Sequence, residues 1–249
     1  MSVVPSQLQV TFSPVARPEA VVSGPHVRFS VLASRLLRLE YSPTGVFEDR
    51  PSQVVWYRDQ PVPAFDHLND GQQIVIETDD LRLHYTISDE GFAPDTLAIT
   101  LKASGVVWHF GDVDSANLRG TARTLDNVDG HTPLEPGLMS RAGWVVVDDS
   151  RTLVFGDESW LVPRKVEPGA LDLYFFGYGH AYQDCLHDYC QVAGKVPLLP
   201  RWALGNWWSR FHAYTEDELL GLMDDFRAHD IPLSVCIADI DWHIRITGL

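Results

Sequence analysis

The run Asp239-Ile240-Asp241-Trp242 sets two carboxylates and an indole directly after a short apolar stretch, residues 233–238 (LSVCIA). Apolar runs of this length read as strands buried on both faces of a parallel sheet. In parallel α/β folds, ligands sit beyond the carboxyl ends of the strands, so Asp239 and Asp241 stand where chemistry is done. Side chains alternate along a strand, so the two Asp should point the same way with Ile240 opposed, unless the strand has already turned into loop. Trp207, Trp208 and Arg210 hold the equivalent end of an earlier run, residues 202–208 (WALGNWW), which also reads as a buried strand. Carboxylates accept pairs of hydroxyls, and indoles offer flat apolar faces to the C–H side of a pyranose ring. The bland alternatives are an Asp that caps a turn and a Trp that fills a core. Against them, four of the chain's eight tryptophans, Trp202, Trp207, Trp208 and Trp242, fall between positions 202 and 242.

A D-x-D after an apolar strand also suits Mg²⁺-dependent phosphoryl transfer with one Asp as nucleophile. That chemistry wants a small residue and then Thr after the second Asp, whereas Trp242 and His243 follow here. Asp239, Asp241 and His243 are metal-ligand types, but no further His cluster supports them. There is no Gly-rich phosphate loop, no G-x-S-x-G and no H-E-x-x-H, and no cofactor or metal is expected.

The elements that must carry these residues come in two kinds. Residues 27–31 (VRFSV), 37–41 (LRLEY), 81–87 (LRLHYTI) and 97–101 (LAITL) alternate apolar with polar or small residues, the mark of sheets with one face buried and one wet. Turn sequences at 42–45 (SPTG), 69–71 (NDG) and 89–91 (DEG) separate them. Residues 144–147, 153–155 and 171–176 resume strand character after a stretch rich in Asp, Gly, Asn and Thr, residues 111–143, of a length that is usually functional or mobile. Several short strands so spaced predict an antiparallel β-sandwich.

Beyond residue 179 the period changes. Tyr182, Leu186, Tyr189 and Val192 recur at helical spacing, closed by Gly194 and Pro197. Thr215 and Glu218 form a T-x-x-E capping box ahead of a stripe of Leu219, Leu222, Met223 and Phe226, and Pro232 ends that helix. With the two apolar runs this makes strand, helix, strand: a βαβ unit. One such unit has no second face to bury against, so residues past 196 read as the start of a barrel or doubly wound sheet.

Lys and Arg number 19 against 34 Asp and Glu, a net charge of −15 that repels phosphate backbones and anionic lipid alike. Neither nucleic acid nor membrane is an expected partner. The N-terminus lacks a signal-peptide pattern and no run is long enough to span a bilayer. Cys185, Cys190 and Cys236 include no C-x-x-C pair and suit a reducing compartment. The expected location is the cytoplasm.

Three stretches in order carry a resemblance. Residues 196–243 (VPLLPRWALGNWWSRFHAYTEDELLGLMDDFRAHDIPLSVCIADIDWH) resemble the opening of the catalytic barrel of glycoside hydrolase family 31, the α-glucosidase and α-xylosidase family. Residues 117–150 (NLRGTARTLDNVDGHTPLEPGLMSRAGWVVVDDS) resemble the loop and strands that precede that barrel. Residues 27–58 (VRFSVLASRLLRLEYSPTGVFEDRPSQVVWYR) resemble the start of the family's N-terminal sandwich.

The resemblance implies a galactose-mutarotase-like antiparallel β-sandwich followed by an incomplete (β/α)8 barrel segment. The implied boundaries are 1–177 for the sandwich, 178–196 for a linking helix and 197–249 for the first βαβ segment. It implies retaining hydrolysis of an α-linked oligosaccharide or α-glucoside by two Asp on later barrel strands, neither within these 249 residues, so the chain alone is expected to be inactive. Asp239 is implied to bind sugar hydroxyls and Ile240 to line the same subsite, with Asp241 and Trp242 in flanking roles. Trp207 and Asp126 complete the expected binding set, with Asp129 beside Asp126 in a loop over the site. The sequence departs from the family at Arg119, Ala142 and Ser234, where relatives often carry Gly, Asp and Asp. A non-enzymatic carbohydrate-binding or assembly module is the rival reading. Trp202, Leu204, Leu219 and Met223 would then stay uncovered and drive homo-oligomerisation.

Overall fold

The structure, a computed structural model, describes residues 10–122, 124–157, 160–165 and 167–241. The chain forms two compact units, residues 1–195 and 196–249. Trp242 and His243, singled out in the sequence, lie outside the described residues.

Mostly antiparallel strands and few helices build the first unit. In chain order the strands are β1 (Val21–Gly24), β2 (Val27–Ala33), β3 (Leu36–Tyr41), β4 (Phe65–Asn69), β5 (Gln73–Thr78), β6 (Leu81–Thr86), β7 (Leu97–Leu101), β8 (Val107–His109), β9 (Val145–Asp148), β10 (Val154–Phe155), β11 (Leu161–Val162) and β12 (Leu171–Phe176), and the helix is α1 (Tyr182–Ala193). One five-stranded sheet runs β1-β2-β3-β12-β9 and the other β4-β5-β6-β7-β8. The turns are made by the residue types that favour them. Between β4 and β5, Asp70 accepts from the backbone N–H of Gln72 and Gln73, both at 2.9 Å, and Gly71 takes φ 83°, a conformation open to glycine at no steric cost.

Alternation along the strands sends Phe29, Val31, Leu37, Leu39, Ile74, Ile76, Leu83, Tyr85, Leu97, Ile99, Trp108 and Phe175 from both sheets into one core. Each such side chain contributes roughly 1.5–3 kcal/mol on burial. The alternating strands read from the sequence are all present; β1, β4, β5, β8 and β11 were not read there.

The wet-face expectation fails for β3. Its burial runs through Leu36, Leu37, Arg38, Leu39 and Glu40, because on the outer face of its sheet Arg38 pairs with Asp172 and the Glu48 carbonyl, and Glu40 with Arg28. There Leu36, Tyr174 and Phe176 pack with Val55 and with Cys185 and Val192 of α1 in a second cluster. The helix expected to link two domains is thus packed onto the first unit.

The second unit holds a 3-10 turn at Arg201–Leu204, β13 (Trp207–Trp208), α2 (Glu216–Ala228) and β14 (Val235–Cys236). β13 and β14 pair in parallel, Trp207 with Val235 and Trp208 with Cys236. The long buried strand expected over 202–208 is corrected. Pro200, fixed at φ −62°, opens a helical turn instead, and Trp202, Leu204 and Trp207 are exposed. The capping box forms as read: Thr215 accepts from the Glu218 N–H, and Glu218 accepts from the Thr215 N–H at 2.8 Å. Asp230 at φ 53° and then Pro232 end the helix.

Candidate functional site

Strand ends and one loop carry the residues named from sequence. In the second unit, β14 stops at Cys236, so Asp239 stands three residues past the strand. Ile240 makes an isolated parallel bridge with Ala213, and Asp241 turns to φ 53°. Strand alternation therefore does not govern the pair of Asp: the chain has already become loop. Asp239 is exposed and Ile240 half-buried.

Parallel pairing holds this end in place. The Asn206 carbonyl accepts from the N–H of Ser234 at 2.9 Å and of Val235 at 3.2 Å, and the Asn206 side chain donates to the Pro232 carbonyl at 2.9 Å. Trp207 and Trp208 then divide their duties. The Trp208 ring packs edge-on against Phe226 of α2 at 5.4 Å, fixing the helix to the strand pair with the apolar stripe read from sequence. Trp207 lies 5.9 Å from the ring of Trp202, and its indole N–H donates to the Ala203 carbonyl at 3.1 Å. Its polar handle is spent internally, which leaves an exposed ring face as what it offers a ligand.

Asp126 and Asp129 belong to the first unit, in the long stretch between β8 and β9. Both are exposed, in a loop pinned at its neck. Asn117 accepts from the N–H of Gly137 at 2.7 Å and of Arg119 at 2.8 Å, and its amide donates to Asp114 and to the Gly137 carbonyl. Arg119 takes φ 68°. A side chain at Gly137 would collide with the Arg119 backbone. Among the described residues no group of three or more His, Cys, Asp and Glu could hold a metal ion, and no helix is long and apolar enough to cross a membrane.

Sequence reading missed the densest set of polar side chains, on the covered face of the first sheet. Arg38 donates to both oxygens of Asp172 at 2.8 Å each; Arg164 reaches Asp172 at 2.7 Å and Asp149 at 3.2 Å; Arg28 grips Glu40 at 2.7 and 2.9 Å. Burial pushes the Asp172 carboxyl up, but the guanidinium of Arg38, with Arg58 and Arg164, overcomes it and holds the group well below the usual carboxylate range. The signal was there in Arg38, Glu40 and Asp172, but charges on an alternating strand read first as a solvated face.

The fold and strand-end geometry define a β-rich unit followed by a parallel strand–helix–strand segment with an exposed carboxylate past its second strand. Residues 196–247 match the model for the glycosyl hydrolases family 31 TIM-barrel domain. Among curated proteins, "Alpha-glucosidase 2" of Bacillus thermoamyloliquefaciens is 41% identical over 78 residues, covering 31% of this chain and 10% of that protein. "Alpha-xylosidase XylQ" of Lactiplantibacillus pentosus is 33% identical over 128 residues, 47% of this chain and 17% of that protein. The chain spans less than a fifth of either relative's length. Among solved structures, a family 31 α-xylosidase from a soil metagenome, complexed with xylose, aligns at TM-score 0.59 and 14% identity over 89% of this chain and 40% of that one. A Flavobacterium johnsoniae family 31 dextranase, complexed with glucose, aligns at TM-score 0.58 and 20% identity over 87% of this chain and 31% of that one. These structural likenesses are likenesses of fold.

Proposed function

We propose that the chain is the N-terminal β-sandwich and first βαβ segment of a (β/α)8 barrel in a retaining α-glycosidase acting on an α-linked oligosaccharide or α-glucoside. The observation that carries this reading is the family 31 barrel match over residues 196–247, on a parallel β13–α2–β14 segment with Asp239 just past its second strand. In this reading Asp239 accepts hydroxyls of the sugar whose bond is cut, and Ile240 lines the same subsite. The Trp207 ring meets a C–H face, and Asp126 is assigned as a further sugar ligand. Retention requires a carboxylate nucleophile and a second carboxyl acting as acid and then base. Both are assigned to later barrel strands outside these 249 residues, and the chain by itself does not turn over.

The test is hydrolysis of p-nitrophenyl α-glucoside and α-xyloside by the protein encoded by the full reading frame, with the anomer of the first product read by NMR. An α product, with kcat/KM lowered at least a hundredfold in Asp239→Ala, supports the reading. A β product, or full activity in Asp239→Ala, sinks it. Turnover by residues 1–249 alone would sink the assignment of the catalytic carboxylates. Sugar binding without hydrolysis by the full protein would favour the non-enzymatic module.

A further inference from the structure

On the first unit a cleft of about 340 Å³ opens between residues 46–50 on one side and Arg164, Glu167 and residues 170–172 on the other. That volume is at the small end of the range for small-molecule sites, roughly 300–1,000 Å³. Its lining includes Glu40 and Asp172 of β3 and β12, with Phe47, Glu48, Arg50 and Arg164. We propose that this cleft is a second binding site, for a neutral polyhydroxyl ligand of the size of a small saccharide.

Charge balance argues for neutrality. Glu48 is held by Arg50 through two hydrogen bonds, at 2.8 and 2.7 Å. Asp172 is held by Arg38 and Arg164, and Glu40 by Arg28. Glu167, also on the lining, accepts from Thr44 at 2.7 Å, and Lys165 is exposed. A phosphate or sulfate entering here would face four carboxylates against three cations. A cation would face guanidinium groups already committed to those carboxylates. A hydroxyl-rich neutral ligand meets neither cost. Each carboxylate keeps unused lone pairs for hydroxyl donors, and Arg50, 40% exposed, keeps its Nη1 with no partner among the described residues.

One further feature fits the ligand class. The Phe47 ring is half-buried with the Arg28 guanidinium over it, 4.7 Å from its centroid, so it is a fixed apolar wall for the C–H side of a ring. Narrowing the polyol to a saccharide rests on the α-glycosidase reading; the cleft's neutrality does not.

Methyl α-glucoside, methyl α-xyloside, glycerol and inorganic phosphate are titrated into the purified chain and followed by saturation-transfer NMR. A glycoside is expected to bind in the millimolar range, and about tenfold more weakly in Phe47→Ala and in Arg50→Ala. Arg50 is exposed enough for its variant to keep the fold, which circular dichroism checks. Absence of glycoside binding, binding lost in Asp239→Asn but kept in Phe47→Ala, or phosphate binding more tightly than either glycoside overturns the proposal. Glycerol binding as tightly as the glycosides overturns the saccharide assignment. Hydrolysis tests the glycosidase reading separately: a protein that binds in the cleft without cleaving fails that reading alone, and one that cleaves without binding in the cleft fails this one alone.

Discussion

The guanidinium of Arg38 closes on both oxygens of Asp172 at 2.8 Å across β3 and β12, with both side chains buried. Removing Arg38 would leave the buried Asp172 carboxylate with Arg164 alone, and breaking a buried ion pair costs about 3–5 kcal/mol. Arg38→Met is therefore expected to lower the stability of the chain by that amount, read as a shift in the denaturant midpoint at constant slope. A shift below about 1 kcal/mol would mean that the face is wetter than its burial indicates.

Acid should act through the same pair. Asp172 is held below its unfolded value, so the stability it contributes is complete above about pH 4, near the unfolded Asp value of about 3.9, and drains away as pH falls toward the depressed folded value. Glu40 runs the other way. Burial outweighs Arg38 and Arg28 and raises its carboxyl, so ionised Glu40 costs stability above its folded value and acid relieves that cost. Melting temperature measured from pH 7 to pH 3 is expected to fall below about pH 4, and Asp172→Asn to flatten that limb while lowering the plateau. An unchanged limb in Asp172→Asn would assign the acid loss to other groups.

Asn117 carries the loop neck, with two backbone N–H groups and the Gly137 carbonyl depending on its amide. Asn117→Ala is expected to speed proteolytic cleavage between residues 121 and 134 several-fold, with a loss of about 1–3 kcal/mol. Limited proteolysis followed by mass spectrometry reads the site, and cleavage elsewhere would show that the neck is not the pivot.

For the second unit, Thr215→Ala removes the acceptor for the Glu218 N–H. It should cost about 1 kcal/mol of helix stability, visible as faster amide exchange in the first turn of α2. Thr215→Ser should restore protection, since a serine hydroxyl accepts the same bond.

What could be read from sequence follows from the range of the interactions involved. β3, β6, β7 and β12 were legible because their inner residues repeat every second position, and α2 because Thr215 and Glu218 satisfy each other locally. β5 hid because Ile74, Val75 and Ile76 break the alternation, and β4 because its residues stay mostly exposed at the sheet edge. The run at 202–208 misled because apolar content alone does not separate a strand from a 3-10 turn, which Pro200 decides. Asp239 and Trp207 were singled out by position after an apolar run. The ionic face was not, since Arg38, Asp149, Arg164 and Asp172 are joined only through tertiary pairing.

That face also bears on how the strands find their alignment. β3 and β12 pair Leu39 with Leu173 and Leu37 with Phe175, and a slip of two residues would keep every apolar side chain inward. Burial alone scarcely distinguishes the two alignments. A slip that set Asp172 opposite Ser42 would carry it roughly 7 Å along the strand, away from Arg38 and Arg164, and leave its buried carboxylate without a partner. The ionic cluster thus acts as a check on strand alignment during folding, rejecting the error that the hydrophobic pattern would accept.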